Sequence, residues 1–132
     1  LRQAEEKYRS IFENAVEGIF QSSPEGRYIR VNPALARMYG YNSPEELLTH
    51  LTDIGRQLYV DPERRAEFQR LIDQQTIVTH FEAQVYRRDG SIIWITEHAR
   101  AVRDGTGKLL YYEGTVENIT DRKRTELQLL QT

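Results

Sequence analysis

Residues 87–120 read RRDGSIIWITEHARAVRDGTGKLLYYEGTVENIT, and this stretch decides the fold. Arg88-Asp89-Gly90-Ser91 and Arg103-Asp104-Gly105-Thr106-Gly107 are turn signals. They separate runs rich in β-branched and aromatic residues, 92–102 and 109–119. Ahead of the first turn, Phe81, Ala83 and Val85 alternate with Glu82, Gln84 and Tyr86. The spacing predicts an antiparallel meander of three strands. Upstream, 18–22 and 27–31 flank Ser23-Pro24-Glu25-Gly26 and predict a hairpin.

Helix signals lie between hairpin and meander. Asn32-Pro33 places a capping side chain before a proline suited to a first helical turn, and Gly40 ends that short helix. Ser43-Pro44-Glu45-Glu46 is a capping box ahead of Leu47, Leu48 and Leu51. Asp61-Pro62 opens the longest helix, through about Gln75, with Ala66, Phe68, Leu71 and Ile72 as its apolar positions. At the start, Leu1, Ala4, Tyr8, Ile11 and Ala15 form a heptad-like stripe, suited to packing on the domain or pairing with a second copy. Thr120 is the expected cap of a closing charged helix with Leu127 and Leu130 on one face. The expectation is an α+β domain: one five-stranded antiparallel sheet, helices across one face, and flanking helices at both ends. Its parts are residues 1–15, a core at 16–120 and an outgoing helix at 121–132.

Alternation assigns the faces. Ile93, Ile95, Glu97, Ala99 and Ala101 face the helices, joined by Phe81, Ala83 and Val85, by Tyr112, Gly114 and Val116, and by Phe20 and Ser22. Trp94, Thr96, His98 and Arg100 belong to the outer face. The small residues Ala83, Ala99, Ala101 and Gly114 leave room, to be filled by Met38, Phe68 and Leu71 or by a ligand. The candidate ligand contacts are therefore Phe20, Ser22, Met38, Phe68, Leu71 and Val85, with Ile95, Glu97, Ala99, Tyr112 and Val116. Glu97 is the odd member, because a carboxylate facing a core must be paired, hydrogen-bonded or protonated. Asn118 or nearby backbone is its expected partner, and a ligand anchor is the functional alternative.

Composition narrows the function. The 132 residues carry 18 Lys+Arg against 20 Asp+Glu, so net charge favours neither nucleic acid nor an anionic membrane. The absence of cysteine removes disulfides, thiol nucleophiles and thiolate zinc sites. No apolar run approaches a membrane span of about 20 residues. His50, His80 and His98 are dispersed, and no catalytic or metal constellation is expected. Arg87-Arg88 and Arg122-Lys123-Arg124 read as solvated basic clusters. The first residue, Leu1, suggests an excised piece of a longer protein.

In this order the motifs resemble a PAS domain with its PAC tail, the sensory module of bacterial signalling proteins. The resemblance rests on Tyr8-Arg9-Ser10-Ile11-Phe12-Glu13-Asn14-Ala15, Asn32-Pro33-Ala34, Met38-Tyr39-Gly40-Tyr41, Ser43-Pro44-Glu45-Glu46-Leu47, Arg88-Asp89-Gly90-Ser91 and Gly114-Thr115-Val116-Glu117-Asn118-Ile119-Thr120-Asp121. It implies strand order 2-1-5-4-3 and a cytoplasmic module that senses a small molecule or mediates dimer contacts. Its implied output is a histidine kinase or diguanylate cyclase domain on the same polypeptide. Dimer contacts are expected through the N-terminal helix and outer sheet face. The cofactor stays unspecified, since flavin-cysteinyl, cinnamate and haem sensors need a Cys or a long-helix His absent here. Asn118 stands where the family usually has Asp, which puts a salt bridge there in doubt.

Overall fold

A computed structural model describes residues 2–131. The chain runs α1 (Arg2–Asn14), β1 (Gly18–Ser22), β2 (Tyr28–Val31), α2 (Pro33–Met38), α3 (Pro44–His50), α4 (Ile54–Gln57), α5 (Pro62–Gln75), β3 (Ile77–Tyr86), β4 (Ile92–Arg103), β5 (Leu109–Asn118) and α6 (Thr120–Gln131). The five strands form one sheet in the order β2-β1-β5-β4-β3, and its registered pairs are antiparallel. This is the expected α+β architecture and strand order.

The three proline-marked helix starts form as read. Asn32, Ser43 and Asp61 are extended and accept from Leu35 N, Glu46 N and Glu63 N respectively. Asn32 does more than cap. Its Oδ1 accepts from Ile19 N at 2.9 Å and Leu35 N at 3.1 Å. Its Nδ2 donates to Phe12 O and Glu17 O, each at 3.0 Å. One buried carboxamide thus ties the end of α1, the entry to β1 and the start of α2.

Two elements depart from the sequence reading. The segment 52–60, left unread, contains α4, capped by Asp53 and braced by Gln57 Oε1, which accepts from Thr52 N and Asp53 N. It is too short for periodicity to announce it. Strand β3 begins at Ile77, ahead of the alternating run at Phe81, because a bulge between Val78 and Phe81 breaks the alternation.

The inner face is as assigned, with Ile93, Ile95, Glu97, Ala99 and Ala101 buried. Gly114 is a correction. A Cβ there would stand 2.0 Å from the His98 carbonyl oxygen, so this glycine admits β4 backbone and makes no room under the helices. On α1 the buried residue is Phe12, while Tyr8 and Ile11 of the expected stripe are exposed and Leu1 lies outside the described residues. Arg30 covers the Phe12 ring at 4.2 Å.

Asn32→Ala removes two donors and strands two N–H groups, a loss of about 2–4 kcal/mol. Urea denaturation should show a lower midpoint at unchanged slope; an unmoved midpoint would contradict the knot.

Candidate functional site

The eleven residues expected as ligand contacts lie in the interior or against it. Phe20, Ser22, Phe68, Val85, Ile95, Glu97, Ala99, Tyr112 and Val116 are buried, and Met38 and Leu71 are partly buried against them. What the reading missed are the tyrosines among them. Tyr28, Tyr39 and Tyr59 are buried beside Glu97, and their mutual fields are felt at each hydroxyl. Tyr59 Oη donates to Glu97 Oε1 at 3.1 Å. Asn118, the expected partner, instead accepts from Thr120 at the start of α6. The Tyr39 hydroxyl adjoins that of Tyr28 but meets no acceptor or donor in good geometry.

Tyr59 reaches the core because the chain after α4 runs along β3. Tyr59 bridges Val85, Val60 N donates to Gln84 O, and Tyr86 N donates to Leu58 O. No local pattern announces this. The only hint is an aromatic flanked by Leu58 and Val60.

The electrostatics follow from burial. Desolvation raises the Glu97 carboxyl above its ordinary value, opposed by the Arg65 guanidinium and by the Tyr59 hydrogen bond. Burial first, and the Glu97 field second, raise Tyr28 and Tyr59. Tyr39 is raised by burial and then by Tyr28. Arg65 is the nearby cation, stacked 5.5 Å from the Tyr59 ring centre and 5.3 Å from that of Phe68. The cluster gathers phenol hydroxyls and one carboxyl within the buried core.

A cavity of about 360 Å³ lies on the opposite face, between α1 and the outer side of the sheet. Tyr8 and Phe12 roof it, and Ile19, Ile77, His98 and Arg100 line it.

The second constellation is the exit. Asn118 Oδ1 accepts from Thr120 N at 3.0 Å and from Thr120 Oγ1 at 2.6 Å. Trp94 N donates to Thr120 Oγ1 at 3.1 Å, and Ile119 N donates to Trp94 O at 2.9 Å. Thr120 is therefore the first helical residue, and Asn118 supplies the capping oxygen in its place. Glu82 of β3 holds Arg122 and Lys123 of α6, each at 2.7 Å, and Lys123 stands over the Trp94 ring at 4.8 Å. Lys123, by hydrogen bond and charge, lowers the Glu82 carboxyl. The salt bridge in doubt at Asn118 is thus made from Glu82. Nor are the basic clusters merely solvated: Arg87 Nε donates to Met38 O at 3.1 Å and Arg88 pairs with Glu46. Among the described residues there is no group of three metal-ligating side chains, and no helix is long and apolar enough to cross a membrane.

A family model described as PAS domain matches residues 16–121. The chain belongs to the PAS domain family. PAS domains are regulatory sensor modules. The probable diguanylate cyclase DgcE of Escherichia coli (strain K12) is 26% identical over 96% of this chain and 11% of its own length. Sporulation kinase C of Bacillus subtilis (strain 168) is 24% identical over 98% of this chain and 30% of its own. The chain thus spans less than a third of these curated relatives. Among solved structures, an RNA-binding Light-Oxygen-Voltage receptor superposes with TM-score 0.79 at 25% identity, over 98% of this chain and 37% of that one. A PAS domain from a two-component sensor histidine kinase gives 0.71 at 22% identity, over 89% and 99%, a likeness of fold.

The raised Glu97 carboxyl sets a pH dependence. A group that binds its proton more tightly when folded contributes stability below its unfolded value, near 4.5, and loses it as pH rises through the folded value. Glu97→Gln keeps an acceptor for Tyr59 and never ionises. Its melting temperature should exceed that of the unsubstituted chain at about pH 8 and approach it at about pH 4. Calorimetry at both pH values checks this, and a difference of equal size at both would contradict it.

Proposed function

We propose that this PAS domain is a sensory relay module, non-enzymatic by itself, which passes a small-molecule or conformational signal through α6 to an output domain on the same polypeptide. The observation that carries the reading is the exit constellation. α6 starts on the last residues of β5, is bonded to β4 at Trp94 and is clasped from β3 by Glu82. A displacement of any of these strands acts on the helix at its first turn. The kinase and cyclase relatives support a kinase or a diguanylate cyclase as output; in this reading the kinase is a histidine kinase and the setting is cytoplasmic. The sensing core runs from residue 16 to the start of α6 (Thr120–Gln131), which is the outgoing helix.

On the input side, a small organic ligand meets the inner face at Glu97, Phe20, Ser22 and Tyr112, where carboxyl and hydroxyl groups recognise its polar atoms. A homodimer forms through α1 and the outer sheet face. Tyr8 and Ile11, 51% and 59% exposed, support that contact. One observation favours a second reading, a ligand-free dimerisation module: Tyr39 fills the interior at 0% exposure. Native mass spectrometry separates the two inputs. A small added mass lost on denaturation supports the ligand, and a bare dimer supports the second reading.

The relay is tested by joining the chain, beyond α6, to a histidine kinase catalytic portion. Glu82→Ala should change autophosphorylation about fivefold or more, in either direction. Arg70→Ala, which breaks an exposed ion pair with Glu67 inside α5, should leave it unchanged. Equal outputs from Glu82→Ala and the parent fusion would contradict the relay.

A further inference from the structure

The bulge in β3 lies outside both the tyrosine cluster and the exit. Thr79 and His80 together oppose His98, between the registered pairs Val78↔Ala99 and Phe81↔Glu97. The His80 N–H turns to a side chain and donates to His98 Nδ1 at 3.3 Å. The two imidazoles meet edge to face with centroids 4.5 Å apart. His80 holds φ +54°, a left-handed conformation uncommon for a residue with a Cβ, and the hydrogen bond to His98 is made in that conformation.

A ring nitrogen that accepts an N–H carries no proton, so this bond is available only to the neutral His98 tautomer with its proton on Nε2. An imidazolium has a proton on both nitrogens and accepts at neither. We propose that His98 is a pH-sensitive latch: its protonation removes the acceptor for the His80 N–H, releases the bulge at the start of β3 and loosens the seat of α1 beside it.

The groups around His98 carry both signs of charge. From β3 comes the His80 ring. Along β4, Arg100 adds like charge and is held at 2.6 Å by Glu113 of β5. Glu117 shares the outer face of β5 by alternation, two residues beyond Thr115, the registered partner of His98. From α1 comes Tyr8, and β1 contributes uncharged Ile19, Phe20 and Gln21. Glu82, also on β3, is engaged by Arg122 and Lys123. Protonation therefore sets Nδ1–H against the His80 N–H and a cation beside a second imidazole. The consequence reaches α1 because Val78, Thr79 and His98 line the same cavity as Tyr8 and Phe12. This input is independent of a ligand on the concave side.

Amide exchange of the whole chain, followed by NMR at about pH 7.5 and about pH 5, tests the latch within the range where imidazoles change charge. The His80 protection factor should fall about tenfold or more at the lower pH, while that of Val85 in the core holds. His98→Asn keeps an acceptor oxygen and does not titrate, so its His80 protection should be equal at both pH values. A measurement free of any variant is the ¹⁵N shift of the His98 ring. Nδ1 should be the unprotonated nitrogen at neutral pH, and its titration should share a midpoint with the His80 amide shift. Constant His80 protection, a pH response that persists in His98→Asn, or a proton on Nδ1 at neutral pH would overturn the proposal.

Discussion

The pairing of Gly18–Ser22 with 112–116 puts the last strand of the chain in the middle of the sheet. Without it, a hairpin of two strands and a meander of three would be separate sheets, and an isolated hairpin is marginal in water. With it, the helices between them must cross one face, and both flanking helices meet the other side or edge. The entry to β1 is held by Asn32, and Gly18 packs so close to Leu35 that a Cβ would stand 2.7 Å from Leu35 Cδ1. The central position of β5 is also why α6 leaves from the sheet's interior strand rather than from a loose edge.

The two faces carry different physics. Inside, a carboxyl is buried beside three tyrosines, and desolvation dominates its behaviour. Outside, Glu82, Arg122 and Lys123 sit partly exposed, where single ion pairs are weak and solvent-screened. The exit is firm because backbone donors at Trp94 and Ile119 share the work with those charges. Salt should therefore weaken the clasp without freeing the first turn of α6.

Much of this was legible locally. Asn32-Pro33, Ser43-Pro44 and Asp61-Pro62 each carry a complete helix start in a few residues, and strand alternation placed Glu97 on the inner side without reference to any partner. What escaped was non-local or short. Tyr59 meets Glu97 across 38 positions, through an edge bridge that leaves no periodic trace. Four-residue α4 is below the length at which helix period can be read. The β3 bulge hid His80 because an extra residue resets alternation. Arg87, Arg88, Arg122 and Lys123 read as solvated because composition shows charge but not which carbonyl or carboxylate stands opposite. Asn118 supplies the capping oxygen that was expected from Thr120, while the charge it lacks is supplied from another strand.

The central claim is that the first turn of α6 is mechanically part of the sheet. Native-state hydrogen exchange across a urea series measures this directly at the Lys123 amide, which donates to Ile119 O at 2.9 Å. If the claim holds, Lys123 opens with the β4 and β5 amides at the same free energy and with the same urea dependence, while amides near Leu130 exchange by fraying. If Lys123 instead exchanges at low urea with the distal helix, α6 is an appended segment and the sheet does not drive it.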